Sequence, residues 1–200
     1  MLNKKNIIEN LETGDIILYS EHKYFYEKVI QYFTNSKYTH IAMILKDPIY
    51  INPSLKGLYI IESGVESFND AEDNEKKFGV QIVSFDKIME KWEGEIFVRK
   101  LHCKRNEDFY KKLSEVHEMV HNKSYDLLPQ DWIEAALGIG HTKTTNRFWC
   151  SALISYIYIK LGLLDKSLEW SLVTPNEFGT ENNKSLKFIN CYLDKEIKLN

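Results

Sequence analysis

The sequence predicts an α+β domain, an antiparallel sheet with helices packed against it. Short apolar runs with period-two alternation fill the first half of the chain, and helical spacing takes over in the second. A 44% hydrophobic content over 200 residues supplies one sizeable core, so residues 1–200 are expected to form a single domain.

About five short strands are expected. "DIILYS" follows Gly14, whose freedom to turn suits a strand start. "YTHIAMIL" places Thr39, Ile41, Met43 and Leu45 on one face and His40, Ala42 and Ile44 on the other. "GLYIIES" carries Glu62 near its end, on the face of Leu58 and Ile60. "GVQIVSF" and "GEIFVRKL" complete the set, and "KYFYEKVIQYF", between the first two strands, reads as a short helix. The polar, acidic stretch Ser67 to Gly79 reads as a surface loop.

In the second half, "NEDFYKKLSEVHEMVH" has Asn106 as a cap, acids in its first turn, and Phe109, Leu113, Val116 and Val120 on one stripe. "SYDLLPQDWIEAALGIG" reads as a turn followed by a short helix. In "RFWCSALISYIYIKLG", Leu153, Ile154, Ile157 and Leu161 recur at helical spacing and Gly162 supplies a stop. This last helix is apolar nearly all round, the pattern of one packed against a sheet.

A net charge of −3 without a basic block gives no general attraction for nucleic acid or anionic lipid. The charged N-terminal stretch lacks the apolar core of a secretory signal, and no run reaches the roughly 18 apolar residues of a membrane span. Cys103, Cys150 and Cys191 form no CxxC pair, so reduced thiols in a cytosol-like compartment, bacterial or host, are expected.

Cys150 stands where a loop turns into the last helix. A helix start offers unpaired N–H groups and the positive end of the dipole, which favour a thiolate and can bond a developing oxyanion. The competing reading is an inert buried thiol. Among six histidines, His40 interrupts an otherwise apolar strand, the rigid seat that a catalytic imidazole needs, although a buried structural histidine also fits. Glu62, with Glu66 as competitor, is the carboxylate to orient it if the two strands pair. His141, in a loop before Cys150, is a second candidate base, while His22 and His102 lie among charged residues near element ends. "HEMVH" matches the HExxH zinc pattern: His117 and His121 as ligands on one helix face, Glu118 as base, and Glu134 as third ligand. A solvated helix face is the alternative there.

Taken together, "GDIIL", "YTHIAMIL", "YIIESG" and "FWCSALISYIYIKLG" resemble the circularly permuted NlpC/P60 branch of papain-like cysteine peptidases, which takes in YiiX-like bacterial proteins and a group of poxvirus proteins. In that branch the histidine strand precedes the cysteine helix, matching the order His40, Glu62, Cys150. The resemblance runs from about Gly14 to Pro175, with "SLVTPNEFG" and "NKSYDLL" like two further family segments. It implies a permuted papain-like fold, its sheet open or a small barrel, with Cys150 as nucleophile, His40 as base and Glu62 as orienter. Ser151, through its backbone N–H, and Tyr125 would be oxyanion or substrate contacts. The implied reaction is acyl transfer through a covalent acyl-enzyme, without metal or cofactor, on a small peptide-like or acyl substrate. The wider group also includes lipid acyltransferases and phospholipases, and the aromatics Tyr24, Phe25, Tyr26, Tyr32 and Phe33 would suit a lipid groove or, more simply, a helix core face. A zinc peptidase at "HEMVH" and a non-catalytic binding module complete the alternatives.

Overall fold

Gly14, at φ +98°, turns the chain from an N-terminal helix, α1 (Lys4–Glu9), into the central strand β1 (Ile16–Ser20). The computed structural model describes residues 4–20, 37–64, 68–121, 123–125, 147–181 and 185–200. Four further long strands follow: β2 (His40–Lys46), β3 (Leu58–Gly64), β4 (Gly79–Ser84) and β5 (Glu95–Arg99). They pair antiparallel in the order β5-β1-β2-β3-β4, so the five expected strands form the body of one sheet.

Short strands extend both edges. β10 (Ile197–Lys198) pairs with β5, and β7 (Ser124–Tyr125) pairs with β4. β8 (Arg147–Phe148) adds to β7 in parallel, and β6 (Leu101–His102) and β9 (Tyr192–Leu193) form a separate ribbon. Two residues carry no periodicity, which is why these pairings escape the sequence.

Every residue of β1 is buried, because both faces of the sheet are covered. On one face Ile16, Leu18, Ile41, Met43, Leu45 and Ile61 meet Leu153, Ile154 and Ile157 of α4 (Cys150–Lys160). α3 (Glu107–Val120) packs beside α4 through Phe109, Leu113, Val116 and Val120, and its N-cap Asn106 accepts a hydrogen bond from the Phe109 N–H at 3.1 Å. On the opposite face Ile17, Ala42, Ile44, Ile60 and Val83 meet Phe85 and Ile88 of α2 (Phe85–Lys91). The sequence reads Phe85 as the end of a strand; instead the strand stops at Ser84, and Phe85 and Ile88 form the buried side of this two-turn helix.

Two buried polar side chains stitch distant segments together. The Tyr158 hydroxyl on α4 donates to the Gly14 carbonyl at 2.5 Å, fixing the helix to the entry of β1. Arg99, 1% exposed, donates to the carbonyls of Phe178, Asp194 and Leu193 at 2.6, 2.7 and 3.2 Å and so ties the C-terminal segment to β5. Among the described residues no helix is long and apolar enough to cross a membrane. The stretches read as helices over residues 23–33 and 130–137 lie outside the described residues, as do Glu66, His22, His141, Glu134 and the aromatic cluster Tyr24 to Phe33.

Candidate active site

Strand parity gathers one set of polar groups on the sheet face that α2 covers, at the end of the sheet where the α4 N-terminus, starting on the other face, comes within reach of His40. Met43 pairs with Ile61, so Glu62 falls on the same face as Ala42 and His40. Glu62 in turn pairs with Gln81 of β4, and His40 pairs with Tyr19 of β1. Four adjacent strands thus contribute Tyr19, His40, Glu62 and Gln81.

The His40 Nε2–H donates to Glu62 Oε2 at 2.6 Å, the short distance of a charge-assisted bond. The other carboxylate oxygen, Oε1, accepts from Gln81 Nε2 at 2.8 Å. Glu62 is only 6% exposed, so both bonds matter: a buried carboxylate is tolerated when its oxygens are satisfied. Gly64 permits the arrangement, since a Cβ there would stand 3.3 Å from Glu62 Oε1. Tyr19 backs the imidazole with ring centroids 5.3 Å apart, and Trp92 backs Tyr19 at 4.7 Å.

Cys150, 5% exposed, is the first residue of α4, and its sulfur lies within hydrogen-bonding reach of the His40 ring. Nε2 is engaged by Glu62, so Nδ1 is the ring nitrogen that the carboxylate does not hold. Burial pulls the His40 pKa down. The charge of the Cys150 sulfur and its hydrogen bond, reinforced by Glu62, outweigh burial and push the pKa up to about 10.

The helix N-terminus is braced by the segment that follows α4. Ser151 Oγ donates to the Val173 carbonyl at 2.6 Å, and Trp149 Nε1 reaches the same oxygen at 3.4 Å. Ser151 thus spends its hydroxyl on the brace. The Trp149 side chain makes no cap, and its carbonyl accepts from the Leu153 N–H at 3.0 Å, so the N–H groups of the first turn have no partner within the helix. Thr174 and Glu177 form a capping box just beyond Val173, which fixes the bracing segment.

Tyr125 belongs to β7, where its backbone pairs with Phe148, two residues before Cys150; its side chain lies outside the described residues. His102 stacks on Tyr192 at 4.5 Å and pairs with Asp194 at 2.7 Å, a surface contact. In the "HEMVH" segment His117 and His121 do converge, but on Glu72 of the β3–β4 loop; Glu118 is exposed. Sequence reasoning missed Gln81, Val173 and Glu72. Gln81 alone left a signal: a polar residue between Val80 and Ile82 in an otherwise apolar run.

No protein-family model matches the chain, and no curated protein is similar to it. Among solved structures the chain is similar to the crystal structure of the metalloprotein YiiX from Escherichia coli O157:H7, at 20% sequence identity and a TM-score of 0.49. The match covers 74% of this chain and 64% of that one, so the chain spans less than two thirds of its neighbour's length.

Proposed function

We propose that the chain is a thiol hydrolase of the permuted papain-like, NlpC/P60 kind, acting on an amide or related acyl bond through a Cys150 acyl-enzyme. The observation that carries this reading is the His40–Glu62 pair, 2.6 Å between Nε2 and the carboxylate, with Cys150 as the ring's other hydrogen-bonding neighbour. In this scheme Glu62 fixes the ring and stabilises its cation, and Gln81 holds Glu62. The Cys150 thiolate attacks the carbonyl carbon while N–H groups of the first α4 turn receive the oxyanion. His40 then protonates the leaving group, the carbonyl reforms as a thioester, and water deprotonated by His40 releases the acid and restores the thiol. None of these steps calls on a metal or an organic cofactor.

The test is thiol chemistry. Iodoacetamide should label Cys150 faster than Cys103 and Cys191, whose thiols burial pushes up in pKa, and His40→Ala should slow that labelling alone. Equal, slow labelling of all three cysteines would overturn the proposal. A mass shift on Cys150 after exposure to activated peptide and lipid esters would then report which acyl group the enzyme accepts.

A further inference from the structure

The loop between β3 and β4 does more than close a hairpin. Asp70, 2% exposed, accepts hydrogen bonds from the backbone N–H groups of Glu72 and Ile82 at 2.7 and 3.1 Å, and the Ala71 N–H donates to the Ile82 carbonyl at 2.7 Å. The loop is thereby docked along β4, with Glu72 aimed at the last turn of α3. There Glu72 Oε2 lies 2.8 Å from His117 Nε2 and 3.0 Å from His121 Nδ1, and the two nitrogens are 3.2 Å apart.

One oxygen and two imidazole nitrogens on such a triangle form the face of a small coordination polyhedron. A tetrahedral zinc ion with bonds of roughly 2.0–2.1 Å requires its ligands about 3.3 Å apart, so the three edges of 2.8, 3.0 and 3.2 Å would open by roughly 0.1–0.5 Å to take the ion. Hydrogen bonding alone satisfies this triangle poorly. If both rings donate to one carboxylate oxygen, their protons crowd each other; if one ring accepts from the other, it loses the carboxylate. A cation between the three atoms uses a lone pair from each. The i, i+4 spacing of His117 and His121 brings both to one side of the helix end. Burial grades across the group, with 8% of the His117 side chain exposed, 14% of Glu72 and 26% of His121, so a fourth position opens on the His121 side. Charge points the same way. Lys77, at 2.7 Å from Asp73 and 3.1 Å from Asp70, is the ammonium set against the three carboxylates Asp70, Glu72 and Asp73.

We propose that Glu72, His117 and His121 form a structural site for a divalent transition metal of the zinc class, with water as fourth ligand. The metal clamps the β3–β4 loop to the end of α3. Glu118, exposed and outside the triangle, has no role in the site, which separates this reading from a zinc peptidase. The Lys123 carbonyl, just after α3, accepts from the Val80 N–H at 2.9 Å, so the clamp also steadies the β4 edge.

The full chain, freed of metal with a chelator, is titrated with Zn²⁺ and, for spectroscopy, Co²⁺. The expected result is one equivalent bound, a raised melting temperature, and visible Co²⁺ bands of a nitrogen–oxygen site without a thiolate charge-transfer band. Glu72→Gln and His121→Asn, both on partly exposed side chains, should each weaken binding by more than the roughly 10- to 100-fold that loss of a merely supporting residue brings. Cys150→Ser should bind as the wild type does. Absence of stoichiometric binding by the wild type overturns the proposal whatever the variants do. A thiolate band, loss of binding in Cys150→Ser, or undiminished binding by both ligand variants overturns it equally.

Discussion

Replacing Glu62 by glutamine keeps its shape and removes its charge. His40 then loses a carboxylate partner at 2.6 Å, while the amide oxygen can still accept one hydrogen bond. A hydrogen bond to a charged partner contributes about 1.5–3 kcal/mol and a neutral one about 0.5–1.5, so the difference is about 1–2 kcal/mol. The Coulomb attraction between unit charges about 4 Å apart, at an effective dielectric constant of about 20, sets an upper bound of about 4 kcal/mol. At about 1.4 kcal/mol per pH unit, the His40 midpoint should fall by about one to three pH units. The sign follows from the direction of the wild-type shift. Because the folded-state pKa is raised from 6.5 to about 10, the stabilisation it reflects is present in full below pH 6.5 and is lost as pH rises to about 10. The stability gap between the wild type and Glu62→Gln should therefore narrow across that window. The assay is a pH titration of the His40 ring signals by NMR on histidine-labelled protein, with urea unfolding at several pH values beside it. Cys150→Ser should also lower the midpoint, through loss of the sulfur's charge. A wild-type ring that is neutral at pH 7, or a Glu62→Gln midpoint equal to the wild-type one, would refute the reasoning.

Two further outcomes test the scaffold that holds the site. Tyr158→Phe strands the buried Gly14 carbonyl and should cost about 1–3 kcal/mol in urea unfolding, without altering the His40 midpoint. A loss within experimental error would mean that this hydroxyl does not fix α4 to β1. Asn106→Ala removes the α3 cap and should cost about 1 kcal/mol, read as a lower denaturation midpoint at unchanged slope.

The sheet was legible because its five long strands are strings of apolar residues with turn residues before them, and α3 because its cap and stripe stand in plain order. α2 was hidden by Phe85, which continues the pattern of β4 while starting the next helix. The same logic divides the site. His40 is conspicuous as a polar residue in an apolar strand, and Glu62 shares its face by parity alone. Gln81 becomes a partner only once the β3–β4 register is known, and register is not contained in the periodicity of either strand. Val173 contributes a carbonyl that every residue possesses, so its side chain carries no trace of the task. Glu72 was one acid in an acidic run, and only the docked loop sets it apart from its neighbours.

The brace at Val173 gives the fold an order in time. His40 and Glu62 lie on strands from the first third of the chain, Cys150 arrives with α4, and the Val173 carbonyl that secures α4 follows later still. Such long sequence separations make assembly of the candidate site a late event during folding and synthesis. On the proposed reading, the site is assembled only once the segment carrying Val173 has docked against the start of α4.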